Sequence, residues 1–325
     1  MDRAVDRDAP RPGVQDRPPA ADLHGPDEVV VRARREALTR DARTARPIPS
    51  APSSLPVWVG GRVAAADTAR LPLREAPAAD GRAHYTTARV RAGDVVWLDH
   101  HVARLARDAA RLGLPPVDPR VARRALVELA RAAFPSADGI VRLEHARGAD
   151  ERGHWLGVAR SLGADAATWR AVAAPVAHEG WHAWSGAKRS AQRAVSIARA
   201  AAARAGADEA ILVDAAGRVV EGARAAIFVH LPDGVFATPA LERGGVRSLA
   251  REVALARARG AVRTRDVSLR ALRAAREVVA VNAVRGARPL VELDGEPLGA
   301  ARGPLLDRLR EWLDLPAPEG PRDRS

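Results

Sequence analysis

The sequence predicts a mixed α/β (α+β) protein made of a small N-terminal α/β domain and a larger C-terminal α/β domain. Three observations lead to that class. Segments that alternate with a period of two, closed by glycine turns, interleave with segments whose apolar residues recur every three to four positions. No run of about 18 uncharged apolar residues occurs, so no membrane-spanning helix is expected. The 325 residues, 47% hydrophobic and 28% charged, have globular proportions and suit one large or two ordinary domains.

The elements follow in order. Residues 1–54 hold eight of the 24 prolines and ten arginines against nine acids, and are expected to form a disordered tail. Within it only residues 28–43 read as helical, with a thin apolar face. VWVGGRVA, from Val57, alternates around Gly60–Gly61 and predicts a hairpin. TTARVRAGDVVWL repeats the pattern as strand, Ala-Gly-Asp turn, strand. His100 to Leu114 predicts a helix with Val102, Leu105, Ala109 and Leu112 on one face, stopped by Gly113 and Pro115. A second helix over Asp118–Phe134 and a strand over Ile140–Glu144 complete a small domain spanning 55–162.

Residues 163–188 read as strand and loop, and Ala191–Arg204 as an Ala-rich helix closed by Gly206. EAILVD, RVVEGA, AAIFVHL and VFATP are strands separated by turns at Gly217 and Asp233–Gly234. Helices over Val246–Arg259 and Leu269–Ala275, strands over Val278–Asn282 and Leu290–Leu293, and a helix over Leu305–Leu313 complete a larger domain spanning 163–317. Residues 318–325 are expected to be a second disordered tail. No internal repeat is present.

Composition excludes several functions. With no cysteine there is no disulfide scaffold, thiol nucleophile or Cys-ligated metal centre, and no metal site is assigned. The N-terminus, MDRAVDRDAPRPG, carries acids and prolines where a signal peptide needs an apolar core, so a cytoplasmic protein is expected. The 52 basic against 40 acidic residues give a net charge of +12 and raise the question of nucleic acid. The arginines are spread one or two at a time, as in VARLARDAARLGL and LAREVALARARG, without zinc-finger spacing or an aromatic-plus-basic signature. Arginine on every solvated face is the simpler reading. Nucleic-acid binding or a catalytically silent protein is the rival from another class. The positive field can also attract anionic small-molecule substrates.

Of the 52 basic residues only one, Lys188, is lysine. A coding bias that turned every other cation into arginine left this one. Arginine cannot replace a lysine that must lose its proton and attack a carbonyl, because guanidinium stays charged. An amine that forms a Schiff base is the commonest such requirement. A residual chance lysine is the alternative, and context decides between them.

Lys188 sits in SGAKRSAQRA, ahead of ADEAILVD; VVEGARAAIFV then places Glu221 on a strand, followed by FATP and GGVRSLAR. Upstream stands HHVARL. This series resembles the class IV aminotransferases, the fold-type IV enzymes that use pyridoxal 5′-phosphate, from about Val57 to Trp312. Within that family the texture is most similar to the aminodeoxychorismate lyases. HYTTARVRAGDVVWLDHHVARL resembles their Phe-Thr-Thr-Ala-Arg-Val stretch, HARGADERGHW their Ser-Arg-Gly loop, and VNAVRGARPL their Cys-Asn-Ala strand end. Branched-chain and D-amino-acid transaminases usually have Glu where Thr86 stands.

The resemblance implies roles. Lys188 would carry the cofactor and, as a free amine, move the proton. Glu221 would pair with the pyridine nitrogen and keep it protonated. Arg104 would grip the phosphate with its planar fork, although one more solvated arginine is a serious competing reading. The start of the helix at GGVRSLAR, through Leu249 and Ala250, and Asn282–Ala283 would complete the phosphate cup. Tyr85, Thr86, Arg89 and Arg147 are the candidates to meet substrate carboxylates. The implied function is a lyase that releases pyruvate from 4-amino-4-deoxychorismate or a close analogue to leave 4-aminobenzoate, in folate or a specialised pathway. A class IV transaminase is the alternative, and a homodimer is the implied assembly. The sequence departs from the family pattern at Ser248 (a second glycine), Ala191 and Ala226 (asparagines), His154 (a tyrosine) and DGRAH (an acidic glycine loop).

Overall fold

The computed structural model describes residues 55–70, 83–148 and 152–315, and the two tails lie outside them, as does the helix read over 28–43. Two curled sheets organise the described residues. The first is built from β1 (Val57–Val59), β2 (Arg62–Ala64), β3 (Ala83–Arg91), β4 (Asp94–Val95), β5 (Asp138–Arg147) and β6 (Gly153–Ser161), in the order β2-β1-β6-β5-β3-β4. All its pairings are antiparallel. Helices α1 (Leu98–Leu112) and α2 (Pro119–Ala133) cover one face. Asp118 caps α2 by accepting the Arg120 N–H at 2.8 Å, with Pro119 at the first helical position. Gly113, at φ 63°, ends α1 in the left-handed conformation that glycine adopts without steric cost.

Period-two alternation decides what each face of this sheet does. Ala88 and Val90 of β3, Val141 and Leu143 of β5 and Ala159 of β6 point at the helices, where Leu105, Leu126 and Leu129 are fully buried. Tyr85 and Thr87, with Ile140, Arg142 and Arg160, point the other way. Gly157 lies on the helix-facing side, so close to its neighbours that a Cβ would stand 2.7 Å from the Trp58 Cβ and 3.0 Å from a Leu129 methyl.

The second sheet begins at β7 (Trp169–Ala173). Helix α3 (Arg193–Arg204) crosses from it to the parallel strand β8 (Glu209–Val213), packing Ala194, Val195, Ala198 and Ala202 on Ala210 and Leu212. Next come β9 (Val219–Gly222), β10 (Ala226–His230), β11 (Phe236–Pro239), α4 (Leu249–Ala258), β12 (Val262–Arg265), α5 (Leu269–Arg273), β13 (Glu277–Asn282), β14 (Gly286–Leu293), β15 (Glu296–Pro297) and α6 (Pro304–Leu313). The order is β12-β11-β10-β13-β14-β7-β8-β9, with β15 on β14. The sheet curls until β9 nears β10 and β11, enclosing Trp169, Ile211, Ile227, Val229, Val278 and Leu290. Its outer face is covered by α4 and α6 through Val253, Ala254, Leu305 and Leu309.

Strands β6 and β12 were not expected. The β6 stretch reads as loop because Gly153 and Gly157 interrupt its pattern, yet it pairs with β5 along its whole length. The edge strand β12 buries only Val262 of VRTR, and parallel backbone pairing with β11 supplies what its side chains do not signal. Helix α4 begins at Leu249 rather than Val246, because Ser248 is extended and caps it. Among the described residues no helix is long and apolar enough to cross a membrane.

One buried carboxyl stands out in the second sheet. Glu209, at the start of β8, is fully buried and accepts the N–H groups of Ala210 and Arg224, which ties down the turn between β9 and β10. Burial pushes it up to about 7, against those hydrogen bonds and Arg224. A carboxyl raised in the folded state contributes most below its unfolded pKa, and that contribution is lost as pH rises through about 7.

Two outcomes follow for the apoprotein. Gly157→Ala should lower stability by about 1–3 kcal/mol, since neither Trp58 nor Leu129 has room to move, and a denaturant midpoint measures it. Glu209→Gln, which keeps an acceptor but cannot ionise, should gain relative to the unmutated protein as pH rises from about 5 to 8. A melting difference that stays constant across that range would refute this.

Candidate active site

The loop between β7 and α3 carries Lys188, and backbone pairing pins it to the other sheet. The Lys188 carbonyl accepts the Tyr85 N–H at 3.0 Å, and the Ser190 N–H donates to the Ala83 carbonyl at 2.9 Å, so the loop lies along the start of β3. Asp108 of α1 accepts the Lys188 N–H at 3.0 Å. The side chain ends 5.0 Å from the centre of the Tyr85 ring. Burial first of all, then Arg104 and Arg199, lower the pKa of the Lys188 amine, while Tyr85 and Glu221 oppose them. A lysine so placed gives up its proton more readily than an exposed one.

Glu221, on β9, faces the same space. Its Oε2 accepts the Val246 N–H at 3.0 Å, whereas its buried Oε1 has no hydrogen-bond partner. Burial pushes the carboxyl up to about 7, despite Val246, Lys188 and Arg199. On the opposite side α1 presents Arg104 one turn before Asp108. Arg104 is buried; one guanidinium nitrogen donates to the Arg247 carbonyl at 2.7 Å, and Nε has no partner. Burial lowers it to about 10, still a cation at neutral pH. The N-terminus of α4 opens beside it, capped by Ser248.

These groups line one cavity of about 660 Å³. Lys188, Glu221, Arg104, Leu249, Asn282, Ala283 and Tyr85 are all on its wall. The Asn282 Oδ1 accepts the N–H groups of Val284 and Arg285, which fixes the turn carrying Ala283. Ala250, the second residue of α4, is fully buried and does not line the cavity, so only its backbone could serve.

Three expected substrate residues are not on that wall. Thr86 has the wrong parity for the cavity: it faces α1, where its hydroxyl meets His101 Nδ1 at 2.6 Å. The neighbouring Thr87 lines the cavity instead. Arg89 pairs with Asp138 at 2.5 Å, at the far end of β3. Arg147 falls on the helix side of β5 and donates to the Gly113 carbonyl at 2.5 Å. Besides Lys188 and Arg104, the cations that line the cavity are Arg142, Arg160, Arg199, Arg224 and Arg285. Arg142 lies over the Tyr85 ring at 3.5 Å from its centre. Arg199 was legible in principle, because Gln192, Val195 and Arg199 share the α3 stripe that begins just after Lys188. Arg142 and Arg160 need the strand register, which one sequence does not supply.

The donor set fits pyridoxal 5′-phosphate. A buried amine of lowered pKa suits an aldehyde. A buried guanidinium with a spare N–H, next to a helix N-terminus, suits a phosphate. A buried carboxylate with one unpartnered oxygen suits a protonated ring nitrogen. Where the family has its second glycine, Ser248 lines the cavity and caps α4, so the substitution keeps the helix start in place.

Comparison with known proteins agrees. The family model for amino-transferase class IV matches residues 83–293. Among solved structures, the chain is similar to 4-amino-4-deoxychorismate lyase from Pseudomonas aeruginosa, with 29% identity, 79% of this chain and 97% of that one covered, and a TM-score of 0.68. It is also similar to a branched-chain aminotransferase from Thermoproteus uzoniensis, with 26% identity, 81% and 94% coverage, and a TM-score of 0.69. A hypothetical aminotransferase from Mycobacterium tuberculosis, solved with pyridoxal 5′-phosphate bound, shares the fold at 23% identity, 80% and 97% coverage, and a TM-score of 0.68. A search of curated protein sequences gives no match. With the family model covering more than half of the sequence and the fold in agreement, the chain belongs to the class IV aminotransferases, the fold-type IV enzymes that depend on pyridoxal 5′-phosphate.

Proposed function

We propose that the enzyme is a lyase that converts 4-amino-4-deoxychorismate, or a close analogue, into 4-aminobenzoate and pyruvate. The observation that carries this reading is the cationic wall opposite Lys188. Arg142, Arg160 and Arg199 surround the Tyr85 ring and line the cavity, as a substrate bearing two carboxylates on a compact ring requires. The likeness to the Pseudomonas aeruginosa lyase supports the same reading.

Lys188, Glu221, Arg104, the amides of Leu249 and Ala250, and the Asn282–Ala283 turn would hold the cofactor. When bound, pyridoxal 5′-phosphate supplies an electrophilic aldehyde and a ring that accepts electrons. The chain does the rest. Lys188 Nζ, its pKa lowered by burial, takes the proton from the amine-bearing ring carbon of the substrate. Glu221 keeps a negative charge opposite the ring nitrogen. The ether C–O bond to the enolpyruvyl group breaks, the ring becomes aromatic, and the leaving enolate takes up a proton to give pyruvate. The arginine wall holds the carboxylates throughout.

A transaminase is the second reading, favoured by the likeness to the Thermoproteus uzoniensis enzyme. Family membership also makes a homodimer and a cytoplasmic setting part of the proposal.

The decisive assay incubates the enzyme with aminodeoxychorismate and no keto-acid acceptor. Release of 4-aminobenzoate and pyruvate in equal amounts is expected, and amino transfer that requires an acceptor would overturn the lyase reading. Lys188→Ala should lower turnover by about 10²–10⁴-fold or more and abolish the visible absorbance of the covalently held cofactor.

The cationic wall can be tested separately. Tyr85 is the only tyrosine in the chain, so its phenol titrates alone in the ultraviolet. Burial would raise it, but Lys188, Arg199 and Arg142 outweigh burial and hold it at about 8. Arg142→Met should move the tyrosinate midpoint of the apoenzyme up, toward its ordinary value of about 10. A midpoint already near 10 in the unmutated protein would contradict the charge placement.

A further inference from the structure

The loop that carries Lys188 also carries a buried histidine that the reaction above does not use. The His178 backbone N–H donates to the Val213 carbonyl at 2.7 Å, which anchors the residue to β8. Its Nδ1 accepts the Gly180 N–H at 3.1 Å, so a neutral ring must carry its proton on Nε2. That Nε2 stands 3.9 Å from Glu221 Oε1, the buried oxygen that no hydrogen bond reaches. The carboxylate is thus bracketed, with the Val246 amide on Oε2 and the His178 ring beside Oε1.

We propose that His178 is a positioning residue for Glu221: its Nε2–H, fixed in that tautomer by the Gly180 amide, keeps the carboxylate ionised and turned toward the cavity. The proposal rests on assigning Glu221 to the ring nitrogen of the cofactor.

The chemistry is consistent on both sides. An ionised carboxylate offers about four acceptor positions. Oε1 can therefore accept from His178 and still accept from a protonated ring nitrogen. A neutral, protonated Glu221 would offer a protonated ring nitrogen no negative charge. Burial drives Glu221 toward that neutral form and holds its pKa at about 7, against the Val246 hydrogen bond, Lys188 and Arg199. Burial, with His182 and Arg189, lowers the His178 pKa against the pull of Glu179 and Asp214, so the ring stays neutral and its Nε2 stays a donor. Lys188 and Arg199 are the cations that face Glu221. A separation of 3.9 Å is long for a hydrogen bond, and such contacts tighten when an active site is loaded.

Four forms of the holoenzyme test this: unmutated, His178→Leu, His178→Gln and Glu221→Gln, each titrated with pyridoxal 5′-phosphate by fluorescence from about pH 6 to 8.5. His178→Leu should bind about tenfold to a hundredfold more weakly near neutrality, with the deficit shrinking as pH rises and Glu221 ionises unaided. His178→Gln, which keeps an N–H donor, should stay within about threefold of the unmutated enzyme. Adding His178→Leu to Glu221→Gln should cost nothing further. Binding by His178→Leu that equals the unmutated enzyme overturns the proposal, as does a loss that is independent of pH or persists in the Glu221→Gln background. If Glu221→Gln alone binds as tightly as the unmutated enzyme, the assignment of Glu221 falls, whatever the lyase assay shows. A histidine-labelled sample needs no folded Leu variant. The His178 signal, assigned by its loss in His178→Gln, should show Nδ1 bare and Nε2 protonated at neutral pH, and should move in Glu221→Gln. Protonation on Nδ1 overturns the proposal.

Discussion

The site depends on one backbone pairing: the hydrogen bond from the Tyr85 N–H to the Lys188 carbonyl, flanked by the one from the Ser190 N–H to the Ala83 carbonyl. These two bonds lay a loop of the second sheet along the first strand of the active face. They bring Lys188 from a loop of one sheet against the cavity-facing side chains of the other. Asp108 adds a third tie to the Lys188 N–H, and it stands one helical turn from Arg104. One face of α1 therefore fixes both the lysine backbone and the guanidinium available for an anion. The cavity cannot open along this seam without exchanging these hydrogen bonds for water, at a net cost of about 0.5–1.5 kcal/mol each.

What could be read in the sequence, and what could not, follows from this arrangement. Lys188, Glu221, Arg104 and the α4 start were legible because each is embedded in a local motif, and local motifs survive in a single sequence. The strands of the second sheet were legible because EAILV, AIFVH and EVVAVN are buried on both faces and are apolar except at their ends. The substrate wall was not. Arg142 and Arg160 reach it only because β3, β5 and β6 pair in one register, with Thr87 opposite Arg142 and Ile140 opposite Arg160. A slip of one position separates Thr86, which meets His101, from Thr87, which faces the cavity. Arg89 and Arg147 were plausible by type alone, and type does not say where an arginine's carboxylate or carbonyl partner lies.

The net charge takes on a different meaning once partners are known. Arg288 with Asp165, Arg273 with Asp294, Arg218 with Asp214 and Arg89 with Asp138 are ion pairs at 2.5–2.8 Å that join neighbouring segments. Such arginines serve the fold. A few other cations converge on Tyr85, where Lys188, Arg199 and Arg142 lower the phenol pKa against the effect of burial. A cluster that shifts a phenol in this way will attract a carboxylate for the same electrostatic reason.

This explains why the chain keeps a single lysine. In the cavity wall a permanent cation is useful, and arginine fills every such place. At position 188 a permanent cation would defeat the proposed reaction, which needs a group there that can exist as a neutral amine. Burial, Arg104 and Arg199 push it that way, but guanidinium resists the same pressure: Arg104, equally buried, falls only to about 10. The difference between these two buried bases on the same cavity is the physical content of the lone lysine. In the proposed reaction one holds an anion through the whole cycle, and the other gives up a proton within it.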